Sequence, residues 1–307
     1  MMASAARKLE GDIMKSMLPL LLMLLVVSSV PGCLQAHTSQ DEAAIPVAVS
    51  IPPLKEIAEA VGGERISVAV VVPPGSEPHT YEPTPARISR ISGSALFFRI
   101  GPGLLPFEDQ LAGRLEQLNP EMAVIDLSSG IDLIDAGGCC HHHAGGGYDP
   151  HTWLSPRNGA VMADTIAHAL IEADPGNEEL YLKNLEAYIR QVDEVDSYLN
   201  ASFAETRING FIVTHDAWGY FARDYGLEQI AIHVGGREPT AREIQSVIRR
   251  AERDGIGVIF VEPQFSPKAA EVIAREIDGT VVEIDPLAEA YLENFQTVAD
   301  ALTGALG

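Results

Sequence analysis

Cysteine is nearly absent: the chain has 3 in 307 residues. Two of them, Cys139 and Cys140, are adjacent, and a disulfide between neighbours is strained. No disulfide framework is indicated, although an oxidising compartment is permitted. Cations are scarce as well. There are 21 Lys and Arg against 43 Asp and Glu, a formal net charge of −22. That excludes nucleic acid as a partner, because phosphate binding needs clustered Lys and Arg. It suits a protein outside the cytoplasm or a binder of cations. A His-Glu-x-x-His helix, the signature of many zinc hydrolases, occurs nowhere. The longest apolar run, near the N-terminus, falls short of the ~20 residues of a comfortable membrane span.

That run has another reading. From Met14 to Cys33 a short positive start, an apolar stretch and small residues follow one another, as in a secretory signal. Val30-Pro31-Gly32-Cys33 is similar to a lipobox, in which Cys33 is lipidated and becomes the first residue. Met14 is the expected initiator and residues 1–13 an upstream start. Residues 34–44 then form a polar linker.

What is abundant is apolar: 46% of the residues are hydrophobic, enough for packed interiors, and the length suggests two domains. Short apolar strands are expected at 45–51, 65–73, 95–101 and 123–128, separated by helices. That alternation predicts a parallel sheet covered on both faces. The texture changes at Ser155-Pro156, a helix start. Asp174-Pro175-Gly176 breaks this helix, and a longer one follows over 177–205. Tyr181, Leu185, Tyr188, Val192, Val195 and Leu199 recur in steps of four and three, which is one apolar stripe along a helix. Strands resume at 210–215, 227–234, 256–263 and 280–286. The expected fold is α/β: a lobe over 45–176, a connecting helix over 177–206 and a second lobe over 207–307.

In open parallel sheets ligands bind beyond the carboxyl ends of strands. The polar side chains at such places are His79, His151, His215, Glu262 and Asp285. Three neutral imidazoles and a carboxylate form a ligand set for a borderline divalent cation, zinc above all. The run Cys139-Cys140-His141-His142-His143, flanked by glycines in loop 137–147, is an auxiliary metal-binding candidate. Ordering so mobile a loop costs entropy. His168 and His233 read as structural.

"PPGSEPHTYEPTP", "DPHTWLSPRN", "VTHDAWGYFARDYGL", "VIFVEPQFSPK" and "EIDPLA" occur in that order and span nearly all of the chain after the linker. In these segments the sequence resembles the ZnuA/TroA family, the extracytoplasmic zinc- and manganese-binding proteins of ABC importers. The resemblance implies two α/β lobes joined by one long helix, an ABC permease as partner, a lipid anchor at the membrane, a monomer and no catalysis. It implies His79, His151, His215 and Asp285 as the metal ligands. Manganese-type members tend to have Glu where His215 stands, so zinc is expected and manganese or iron is the alternative. A zinc hydrolase, with Glu262 as base, is the remote one. Glu262 is not a usual ligand in the family and reads as structural or as support behind the ligands. Some members have a coordinating Glu immediately before the first His. Pro78 occupies that position here, so no such role passes to Glu77.

Overall fold

The computed structural model describes residues 43–135, 147–204, 210–233 and 237–304. The signal segment with Cys33, the linker up to residue 42, and the run Cys139 to His143 lie outside the described residues. Ala43–Gly307 makes up one compact unit. No helix among the described residues is long and apolar enough to cross a membrane.

Two four-stranded parallel sheets form the frame. The first has β1 (Ile45–Val49), β2 (Ile66–Val70), β3 (Leu96–Arg99) and β4 (Ala123–Asp126), in the order β2-β1-β3-β4. The second has β5 (Gly210–His215), β6 (Glu228–His233), β7 (Val258–Val261) and β8 (Thr280–Glu283), in the order β6-β5-β7-β8. The two orders are the same. Each chain path reverses at its central pair, β1/β3 and β5/β7, which opens a crevice beyond the carboxyl ends there. The central strands have no polar face to show: Val47, Ala48 and Val49 are buried, and so is every residue of β5. Helices on both faces demand such continuous apolar runs.

The ladders are shorter than the apolar runs that announced them. Val71 and Val72 stay fully buried beyond the last residue of β2. The same holds at 256–263, where the ladder covers only Val258–Val261 and Glu262 stands just past its end. Apolar burial continues into the loops that build the crevice, so it overstates strand length.

The helices in chain order are α1 (Pro53–Gly62), α2 (Pro85–Ile91), α3 (Pro106–Leu118), α4 (Pro156–Ala173), α5 (Glu178–Ala204), α6 (Gly219–Tyr225), α7 (Ala241–Asp254), α8 (Lys268–Ile277) and α9 (Tyr291–Gly304). Ser155 caps α4 by accepting from Asn158 N. Thr240 and Glu243 form the reciprocal capping box that opens α7. The long helix α5 has 27 residues, about 40 Å at 1.5 Å per residue. Its stripe of Tyr181, Tyr188, Val192, Val195 and Leu199 is buried, and Leu185 is partly so. This face packs on α4, α9 and α1.

The last helix, assigned by sequence to the second lobe, is where the halves are tied. Its first two amides, Tyr291 N and Leu292 N, donate to Glu56 Oε2 and Oε1 of α1 at 2.7 and 3.2 Å. A carboxylate there satisfies amides that a helix start leaves unpaired and complements the positive end of its dipole. Lys55 adds an ion pair to Glu289 at 3.0 Å. The Tyr291 hydroxyl lies 2.7 Å from Trp153 O and 2.8 Å from Ser155 O, both in the segment that leads into α4. Gly159 makes this approach feasible, since a Cβ there would lie 2.6 Å from Tyr291 Oη.

Tyr291→Phe removes that buried donor and is expected to cost about 1–2 kcal/mol, with carbonyls left under-satisfied. Urea denaturation should show a lower midpoint and an unchanged slope. Gly159→Ala should cost more, because the Tyr291 ring itself must move.

Candidate metal centre

His79 is held by local backbone chemistry. It sits in the one-turn 3₁₀ helix Pro78–Thr80 after β2, with Pro78 at the first position. Glu77 caps that turn, its Oε1 accepting from His79 N at 2.9 Å. Arg87 Nη1 donates to Val70 O and Val71 O, which fastens the loop to the end of β2.

His151 comes from the irregular segment before α4 and is 3% exposed. Asp149 Oδ1 accepts from His151 N at 2.9 Å and lies 2.7 Å from His151 Nδ1. An ionised carboxylate only accepts, so the Nδ1 proton points at Asp149. Nε2 is then left with its lone pair. Trp153 braces the ring at a centroid distance of 5.3 Å and is itself fixed by donating Nε1–H to Pro286 O at 2.7 Å. The Tyr220 hydroxyl donates to Asp149 O at 2.8 Å, so the carboxylate's own backbone is pinned.

His215 is the last residue of β5. Phe265 stacks on its ring at 5.3 Å, and Asp216 Oδ1 lies 3.2 Å from its Nδ1. Thus each histidine has a carboxylate near it: Glu77, Asp149 and Asp216 respectively.

The three rings converge. His151 Nε2 is 3.0 Å from His79 Nε2 and 3.1 Å from His215 Nε2. Ligand atoms of all three lie within 4.8 Å of one another. Zinc–nitrogen bonds of ~2.0–2.1 Å at tetrahedral angles put the nitrogens about 3.3 Å apart. The two distances from His151 Nε2, 3.0 and 3.1 Å, are close to that. Hydrogen bonds alone cannot satisfy both contacts, because His151 Nε2 has one lone pair and two neighbours in reach. The cavity against these rings measures about 20 Å³ and is lined also by Glu77, Trp153, Glu262, Gln264, Phe265 and Leu287. Such a volume holds an ion or a single water and no organic molecule.

The remaining sequence candidates fall in different places. Asp285 is not in the converging group. Its Oδ1 accepts from Gln264 Nε2 at 3.0 Å and from Leu287 N at 2.9 Å, and both of those partners line the cavity. Glu262 does line the cavity, at 2% exposure. Burial pushes its carboxyl well above the usual range, and the charge of Glu77 pushes the same way. Glu77, set aside in the sequence because Pro78 separates it from His79, reaches the cavity after all. Its Oε1 comes within 3.9 Å of His79 Nε2. A Glu two residues before a His and one before a Pro is a 3₁₀-cap pattern, and that cap is what turns the side chain inward. His168 is exposed on α4, and His233 is the register partner of His215 on β6.

Asp149→Asn should leave the fold intact and lower zinc affinity about 10–100-fold, the usual effect of losing a carboxylate behind a ligating imidazole. Calorimetric titration of both proteins checks this.

Comparison with known proteins identifies the family. Residues 47–305 match the family model described as zinc-uptake complex component A, periplasmic. A crystal structure of ZnuA superposes with a TM-score of 0.80 at 37% identity, covering 86% of this chain and 100% of that one. A ZnuA deletion mutant with zinc bound gives 0.78 at 37% identity, over 86% and 98% of the two chains. A manganese-binding lipoprotein, MntA of Halalkalibacterium halodurans, is 26% identical over 260 residues, 83% of each chain. The zinc-binding protein AdcA of Streptococcus pyogenes is 27% identical over 89% of this chain and 56% of its own length. The chain therefore belongs to the zinc-uptake complex component A family, the metal-binding solute-binding proteins of zinc and manganese ABC transporters.

Proposed function

We propose that this protein captures Zn²⁺ outside the cytoplasm with His79, His151 and His215 as ligands and Asp285 as the fourth, and passes it to an ABC permease. The observation that supports it best is the convergence of three imidazole Nε2 atoms on a cavity of about 20 Å³. Among the described residues both hydrogen bonds to the Asp285 carboxylate end on Oδ1, which in this reading leaves Oδ2 to the ion. Three nitrogens favour zinc over manganese, whose preferred ligands are oxygens. Four protein ligands would close the coordination shell, and a closed shell suits carriage rather than hydrolysis.

In this reading Cys33 bears the lipid that keeps a monomeric protein at the membrane. The run Cys139 to His143 gathers metal for the site. Asp135 and Tyr148 form an isolated antiparallel bridge, which brings the two ends of that loop together beside Asp149 and His151. Manganese is the second reading. It is favoured by the carboxylates Glu77, Asp216 and Asp285 around the histidines, and by the likeness to MntA.

Zinc titration should give one tight site in the wild type and at least a 100-fold loss in His79→Ala. Ligation needs neutral imidazole, so affinity should hold above pH ~7 and fall progressively below ~6.5 as the free histidines take up protons. An affinity that is flat from pH 7.5 to pH 5 would rule out the three-histidine site. In competition, zinc should displace manganese even at tenfold manganese excess; the reverse result would select the manganese reading.

A further inference from the structure

Glu262 is unusual among the acids of this protein. It follows β7, next to the central strand β5 that ends in His215. Its backbone amide donates to Thr214 Oγ1 at 3.2 Å, and Thr214 immediately precedes the ligand His215. The position of its backbone is therefore tied to the metal site. Its side chain is 2% exposed and lines the cavity with the three histidines. Among the described residues neither Oε1 nor Oε2 has a partner in full hydrogen-bonding geometry, and the neutral Trp218 indole is the neighbour that eases its charged form. No Lys or Arg among the described residues lines the cavity, and the charges that act on Glu262 are those of Glu77, Asp285 and Asp216, all acidic.

A buried carboxyl without a partner is costly and is normally eliminated. Among the described residues that line the cavity, no cation balances its charge. What would balance it is a cation on the other side of the cavity. Three neutral imidazoles and Asp285 leave a bound dication with one net positive charge; Glu77, Asp149 and Asp216 each lie beside one imidazole, and Glu262 is a further carboxylate on the cavity wall.

We propose that Glu262 is the charge-balancing carboxylate of the cation site, held against a cavity wall with no protein cation so that a bound dication is what neutralises it. This rests on the reading of the site given above. It makes Glu262 a residue that sets affinity for doubly charged ions while weakening the metal-free protein.

The test is zinc titration and thermal melting of the wild type, Glu262→Gln, Glu262→Asp and His79→Ala, each with and without zinc. Glu262→Gln should melt no lower than the wild type without metal, bind zinc about 10–100-fold more weakly, and gain less on adding zinc. Glu262→Asp, which keeps the charge, should recover most of the affinity. Zinc binding by Glu262→Gln within twofold of the wild type would overturn the proposal. So would a lower metal-free melting temperature in both Glu262 variants together with equal affinities. If instead the wild type bound no zinc, or His79→Ala bound as the wild type does, the three-histidine reading would fall and this proposal with it.

Discussion

Two imidazole nitrogens lie at 3.0 and 3.1 Å from His151 Nε2, and a neutral imidazole has only one nitrogen lone pair to share between them. In the proposed function a cation removes that conflict, and the side chains around the three rings hold them together. His151 is the centre of the triangle, and the short bond from Asp149 decides which of its nitrogens faces inward. If that tautomer were reversed, Nε2 would present a proton where the ion belongs. Trp153, Phe265 and the cap of Glu77 on His79 N then hold the rings where thermal motion would separate them.

Keeping three side chains from three distant segments in register requires the two sheets to stay put. Glu56 grips the start of α9, and Tyr291 on the same helix reaches the carbonyls of Trp153 and Ser155. The same segment thus supports the site on one side and the joint between the sheets on the other. The stiff α5 lies behind both. This layout suits a binder in which small adjustments, rather than wide hinge opening, admit and release an ion.

Much of this was legible in the residues. Continuous apolar runs announced buried parallel strands, because both faces of each sheet are covered. The four-and-three spacing from Tyr181 to Leu199 announced the face of α5 that packs. His79, His151 and His215 could be singled out because strand ends are where such sheets hold ligands. Less legible was Glu77, whose route to the cavity depends on a single 3₁₀ turn. The role of α9 was hidden as well: nothing local in Tyr291 or Leu292 says that their amides meet a carboxylate 235 or 236 positions earlier.

The sequence by itself determined the class of fold, the cation-friendly charge and the histidines to watch, since periodicity, composition and residue chemistry are local properties. Only the tertiary structure decided that both sheets share one strand order and that His151 Nε2 meets the Nε2 atoms of His79 and His215 at 3.0 and 3.1 Å. It alone set Asp285 beside the group rather than within it, and buried Glu262 on the wall of the same cavity as the three histidines. Those are facts about distances between segments far apart in the chain. They follow from how the sheets and helices pack as a whole, which no local pattern encodes.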